Sequence, residues 1–361
     1  MNRIKQIDIL RAIAILLVLI RHMQPCPIEI NSTLHKITSF WRLGGWVGVD
    51  LFFVLSGFLV SGLLFREYKQ YQQIDVSRFL IRRGFKIYPL FWTLILVTSL
   101  IELFNHRIPP WKAVVSELFF IQNYASSMWP PTWSLAVEEH FYFFIAIGAY
   151  FLTRAKTSNP FSKVPLIFLL IGLFCLSARI YAVNQGPHTL KHCFFPSHLR
   201  FDSLFFGVFL AYLSHYKEPL FSRFINQFRN LLLFLGTVIL SFAFYQPIEN
   251  AFFIWKYGLT AFYIGSGCLL LSFIASPTPH SKVLLSMTKI GKYSYSIYVW
   301  HMPFSLWFAV PLSKFFPQNL EWIAYSFIYL SGSIAFGTIL SILIETPTLR
   351  IRDRLFPSRS P

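Results

Sequence analysis

The sequence predicts an all-α fold: a polytopic membrane helix bundle of about ten transmembrane helices with both termini cytoplasmic. Three observations predict it. Of the 361 residues, 55% are hydrophobic, 19% aromatic and only 13% charged, and the mean hydropathy is +0.53. An ordinary soluble domain is far more polar. Apolar runs recur near the ~20 residues that cross a bilayer as a helix, which selects helices over a β-barrel. Lysine and arginine lie between those runs with a strong bias of side. With a cytoplasmic N-terminus, inner segments hold twenty-one of them and outer loops seven, the asymmetry of the positive-inside rule.

Ten apolar segments fall at 8–24, 46–65, 87–104, 134–153, 164–183, 200–214, 231–246, 252–275, 291–312 and 322–344. The sixth and seventh are short, as tilted or bundle-buried helices can be. The largest outer loop, about 105–133, carries Pro109-Pro110 and Pro130-Pro131 and reads as a shaped re-entrant loop. Residues 1–361 read as one transmembrane domain with no appended soluble domain. Asp8 and Arg11 stand at the start of the first run and no small-residue cleavage site follows it, so the first helix reads as retained. The net charge of +17 sits in loops from Arg3 and Lys5 through Lys156 to Arg359. That placement points to topology and anionic membrane lipids as partners, not to nucleic acid. Cys26, Cys175, Cys193 and Cys268 lack metal-ligand spacing, and no metal is expected. Cys26 and Cys193 share the predicted outer side, where a disulfide is open to them. Two unpaired small apolar residues is the preferred reading.

The first segment opens Asp8-Ile9-Leu10-Arg11 and closes Arg21-His22. Arg11 and His22 are about three helical turns apart, roughly 16 Å, and within ~20° of one face. Asp8 and Arg11 can meet at i, i+3. An anion, a cation and an imidazole inside one apolar helix are functional-site candidates, because ionisable groups there are costly. The plainer alternative is that they mark the two membrane rims.

The second segment carries Gly44-Gly45 and Gly48, then Asp50, then Ser56-Gly57-Phe58. Small residues permit close helix approach, but packing does not explain Asp50. Arg82, Arg83 and Lys86 precede the third segment, and Arg82 and Lys86 share a face. Such a cluster suits a phosphorylated ligand, although lipid head groups and topology explain it equally well when taken alone. The fourth segment opens Trp133-Ser134, and Ser134, Glu138 and Tyr142 form a polar stripe at i, i+4, i+8. Arg200 and Asp202 open the sixth; at i, i+2 they cannot face each other, so each needs another partner. In the ninth, Ser294, Tyr298 and His301 share a face. In the tenth, Pro347 after Glu345-Thr346 is expected to stop the helix.

In this order the pieces resemble the acyltransferase-3 family of integral-membrane O-acyltransferases. The matching residues are Asp8, Arg11 and His22; Gly45 and Gly48 to Phe58; Arg82-Arg83 to Tyr88-Pro89; Trp133-Ser134-Leu135 with Glu138; Arg200, Asp202 and Gly207; Tyr295 to His301 and Pro303; and Glu345 with Pro347. Lys86 stands where the family usually has arginine, which keeps the charge but not the bidentate fork. The resemblance implies transfer of an acyl group, usually acetyl, from cytoplasmic acyl-CoA to a hydroxyl. Acceptors would be cell-envelope or exported glycans or lipid-linked sugars, or less often small natural products, at a bacterial inner membrane.

Acyl transfer to a hydroxyl needs a base and positive charge where negative charge develops. His22 has the reference pKa for the base; it could equally accept the acyl group and pass it on. Arg11 is too basic to serve as a base, and is assigned to donor binding or helix geometry. Arg82, Arg83 and Lys86 are the expected sites for the CoA phosphates. Glu138 is expected to orient His22, and Ser56, Tyr298 and His301 to line the cavity, together with Asp8, Asp50, Ser134, Arg200 and Asp202. A phosphopantetheine arm reaching into the bundle would join a cytoplasmic donor to an outer histidine. Two other classes fit the buried charges: a transporter or flippase for a glycan precursor, and a non-enzymatic partner of an envelope assembly complex.

Overall fold

A computed structural model describes residues 4–154, 157 and 159–359; Arg3 and Lys156 lie outside them. Among the described residues all regular structure is helical. The first half runs α1 (Lys5–His22), α2 (Ser32–Gly44), α3 (Gly48–Tyr71), α4 (Val76–Phe104), α5 (Trp111–Leu118), α6 (Trp133–Arg154), α7 (Val164–Gln185) and α8 (Leu190–Cys193). The second runs α9 (Phe201–Tyr216), α10 (Glu218–Ser241), α11 (Leu259–Ile274), α12 (Lys282–Lys292), α13 (Ser294–Phe304), α14 (Val310–Ser313), α15 (Gln318–Leu340) and α16 (Thr346–Leu355). Each of the ten expected segments is helical. Seven helical runs are long and apolar enough to cross a membrane. The expected segments that fall short are α1, with four charged residues in 18; α9, with 16 residues; and the ninth, which is helical from Ser294 through a π turn to Ser313 but carries serines, tyrosines, His301 and two prolines. Charged and polar side chains belong to helices that face protein rather than lipid, and all three carry candidate site residues.

Several boundaries move for local reasons. The loop after α1 is itself helical: the Asn31 side chain accepts from the Leu34 amide at 2.9 Å and starts α2. Asp75 caps α4 in the same way, accepting from the Arg78 amide at 3.0 Å. Arg78, Arg82, Arg83 and Lys86 are therefore helical residues below the apolar run. The seventh segment is not short, because its helix begins at Glu218 with Pro219 in the first turn. Pro347 does not end the tenth. A π turn over Ser341–Glu345 precedes it, and Pro347 sits in the first turn of α16, where its missing N–H leaves nothing unpaired. Loop 105–133 folds as α5 plus a turn held by buried Glu117. Glu117 accepts from the Met128 and Trp129 amides at 2.9 and 3.2 Å and from the Thr132 hydroxyl at 2.8 Å.

The core is built on two close crossings. Gly57 of α3 lies against the Leu204 carbonyl and Gly207 of α9 against the Val54 carbonyl, so a β-carbon at either would collide with backbone. Gly291 lies equally close to the Asp8 carbonyl, which seats α12 on α1. From α3 through α9 to α7 runs a buried chain of charges. Arg200 Nη2 is 2.6 Å from Asp50 Oδ1, and Asp202 Oδ2 is 2.7 Å from Arg179 Nη1. This gives Arg200 and Asp202 the separate partners that their spacing demanded. Cys26, Cys175, Cys193 and Cys268 are all free thiols.

Candidate active site

Three cavities follow one another through the bundle. The central one holds about 790 Å³ of empty space, its mouth included, and is walled by α1, α3, α4, α6 and α13. Arg11 donates from Nε to Ser294 Oγ at 3.1 Å on its wall. The Ser134, Glu138 and Tyr142 stripe of α6 faces it. Glu138 accepts from Ser56 Oγ at 2.8 Å through one oxygen and from the Tyr142 hydroxyl at 3.0 Å through the other. The Tyr298 hydroxyl donates to the Pro131 carbonyl at 2.7 Å and lies 2.6 Å from Ser134 Oγ.

The second cavity opens at the end of the bundle where α4 begins and α16 ends. Arg78, Arg82, Arg83, Lys86, Arg352 and Arg359 line it, with Glu67 as its one carboxylate. Six cations around one space make it strongly attractive to a polyanion. Arg82 pairs with Asp353 at 3.1 Å and with the Phe356 carbonyl, Arg78 Nε with the Pro357 carbonyl at 3.0 Å, and Lys86 with Glu345. Arg83 lies over the Tyr142 ring at 5.5 Å. Arg83 and Lys86 line the central cavity as well, so the two spaces adjoin.

The third cavity lies at the other end of α1. His22 and Arg21 line it with Trp46, Trp133, Phe194 and Phe195. Val49 and Tyr298 line both it and the central cavity. Arg21 pairs with Glu249. The His22 ring lies 5.1 Å from that of His301, centroid to centroid.

The structure thus sorts the sequence candidates. Arg11, Ser56, Arg83, Lys86, Ser134, Glu138 and Tyr298 wall the central cavity. Glu138 does not orient His22. It is the sixth residue of α6, bonded to Ser56 and Tyr142, and His301 occupies the place beside His22. Asp50, Arg200 and Asp202 are not cavity walls but members of buried ion pairs, which explains the buried charge that packing could not. Asp8 is buried at the α1–α12 crossing. Arg78, Arg352 and Arg359 were not singled out by sequence. The signal was their number on the same predicted side as Arg82, and only the fold of α16 against α4 shows that they converge. Among the described residues no group of three or more His, Cys, Asp or Glu is placed to hold a metal ion.

Adjoining cavities through an all-helical bundle with helices of membrane-spanning length, lined by cations at one end and by His22 at the other, make this a polytopic helical protein with an internal site. The chain belongs to the acyltransferase-3 family: residues 4–342 match its acyltransferase domain. It is similar to a Staphylococcus aureus (strain COL) protein provisionally named an O-acetyltransferase, 28% identical over 96% of this chain and 57% of that one. It is also similar to the peptidoglycan O-acetyltransferase OatA of Listeria monocytogenes, 28% identical over 83% of this chain and 49% of that one. The O-acetyltransferase OatA of Staphylococcus aureus (strain NCTC 8325) is 28% identical over 76% and 48%. The chain spans about half the length of these curated relatives. No solved structure matches it.

Proposed function

We propose that this chain moves an acetyl group from acetyl-CoA to a hydroxyl of a cell-envelope glycan at a bacterial inner membrane. The observation that carries the reading is the succession of cavities, six cations around the second, Arg11 on the central one and His22 in the third, joined through shared walls. The phosphates of CoA suit Arg78, Arg82, Arg83 and Arg352, because arginine meets phosphate in a two-point fork. The acyl-bearing arm extends from there into the central cavity. Arg11 serves that cavity and not His22, since about 16 Å of helix separates them. His22 takes the proton of the acceptor hydroxyl as the acyl–oxygen bond forms and the carbon–sulfur bond breaks; CoA leaves as the thiolate, which takes up a proton as His22 returns to its neutral form. The same position also allows a histidine-bound acyl intermediate. The name of the Listeria monocytogenes relative favours peptidoglycan as the acceptor class.

The test uses membranes containing wild type, His22→Ala or Arg82→Ala with acetyl-labelled CoA, following label into a peptidoglycan or polysaccharide fraction. Transfer by wild type, lost in His22→Ala and restored in Arg82→Ala by excess donor, is the expected outcome. Movement of a glycan precursor across the membrane with no covalent change would replace this reading with a transporter.

A further inference from the structure

Beside His22 lies a second buried histidine whose one hydrogen bond selects the tautomer of its neutral ring. His301 is 1% exposed. Its Nδ1 lies 2.6 Å from the Tyr298 carbonyl oxygen. A carbonyl only accepts, so Nδ1 carries a hydrogen, and in the neutral ring Nε2 is left with a lone pair. That Nε2 is buried with no hydrogen-bond partner among the described residues. A buried acceptor left open is costly, and the nearest titratable ring to this one is His22, tilted by 50° with centroids 5.1 Å apart.

Resting on the reading of His22 above, we propose that His301 is a positioning residue for His22. When the His22 ring turns its N–H onto His301 Nε2, the opposite ring nitrogen of His22 is left as the acceptor and points away from His301, toward the third cavity. The resulting relay runs from the Tyr298 carbonyl through His301 to His22 and the acceptor hydroxyl. As the hydroxyl proton moves to His22, positive charge develops on that ring, and the His301 lone pair stabilises it through the shared N–H. A carboxylate does this work in many hydrolytic sites. An imidazole does it without burying a permanent charge in an apolar bundle, which lowers the desolvation cost. It also accounts for the placement of Glu138 on Ser56 and Tyr142, since His22 has no need of it.

Two substitutions separate this role from packing. His301→Asn keeps a donor for the Tyr298 carbonyl but places no acceptor near His22. His301→Gln places an acceptor where Nε2 stands. Full-length protein in membranes would be assayed with acetyl-CoA and soluble peptidoglycan fragments, with His22→Ala alongside and thermal unfolding as the check on folding. His301→Asn is expected to lower kcat about 100-fold with KM for both substrates within about threefold. His301→Gln should recover at least tenfold of that loss at an equal unfolding midpoint. Equal activity of the Asn and Gln variants, or a loss confined to KM, would overturn the relay. Active wild type and inactive His22→Ala with fully active His301→Asn would overturn it alone. An inactive wild type, or a fully active His22→Ala, would overturn the proposed function and the relay with it.

Discussion

Arg200 and Asp50 form an ion pair at 2.6 Å with both side chains 1% exposed. Nε and Nη1 of Arg200 have no hydrogen-bond partner among the described residues, and its guanidinium lies 4.5 Å from the centre of the Phe194 ring. The pair fixes the α3–α9 crossing directly behind the third cavity, whose wall includes Phe194. Removing one partner leaves the other charge buried. Asp50→Ala should therefore destabilise by about 3–5 kcal/mol, while Asp50→Leu with Arg200→Met should recover most of that loss. Unfolding midpoints of the three proteins in detergent check this.

The basic cavity predicts a kinetic split. Arg352→Ala removes one of six cations without touching the central cavity. KM for acetyl-CoA should rise about tenfold, the worth of one charge-assisted hydrogen bond, with kcat unchanged. A thioester of pantetheine alone, which lacks the nucleotide phosphates, should show no difference between wild type and Arg352→Ala. Steady-state rates with both donors give the answer.

Tyr298 stands between the central and third cavities and holds Ser134 and the Pro131 carbonyl. Tyr298→Phe keeps the ring and loses both bonds, each worth about 0.5–1.5 kcal/mol. Water then has freer access to the thioester. The share of CoA released without acylated acceptor should rise several-fold, as read by thiol release against acceptor label.

Glu117 lies outside the membrane-spanning segments, and burial pushes its carboxyl above the ordinary range. A carboxyl raised in the folded state binds more protons there than in the unfolded chain, so its contribution to stability falls as pH rises from the unfolded value toward the folded one. Glu117→Gln keeps one accepting oxygen for Met128, Trp129 and Thr132 and should flatten that dependence. Glu117→Ala strands the Met128 and Trp129 amides, while the Thr132 hydroxyl keeps the Trp129 carbonyl at 2.8 Å, and should cost about 2–4 kcal/mol. Thermal unfolding between pH 4 and pH 7 distinguishes the two.

Much of this arrangement was legible in the sequence. Apolar length located the ten helical segments, and i, i+4, i+8 spacing placed Ser134, Glu138 and Tyr142 on one wall. The i, i+2 spacing of Arg200 and Asp202 demanded two outside partners, which Asp50 and Arg179 supply. Periodicity could not say which helices meet. Glu138 and His22 share a predicted side, yet their helices turn them into different cavities. His301 was legible as a buried polar residue, but its neighbour 279 positions earlier was not. The helical starts at Ser32 and Val76 were missed because Asn31 and Asp75 act as caps in stretches that hydropathy alone reads as loops.

The crossing of α3 with α9 has a consequence for how the chain is made. Asp50 leaves the ribosome 150 residues before Arg200. At ~5–20 residues per second, that is roughly 8–30 s of synthesis. Throughout this time α3 carries an acid with no counter-ion and a glycine face with no neighbour. Insertion of the second segment is thus provisional until the sixth arrives, and any factor that shelters half-made membrane proteins would meet this chain in that interval.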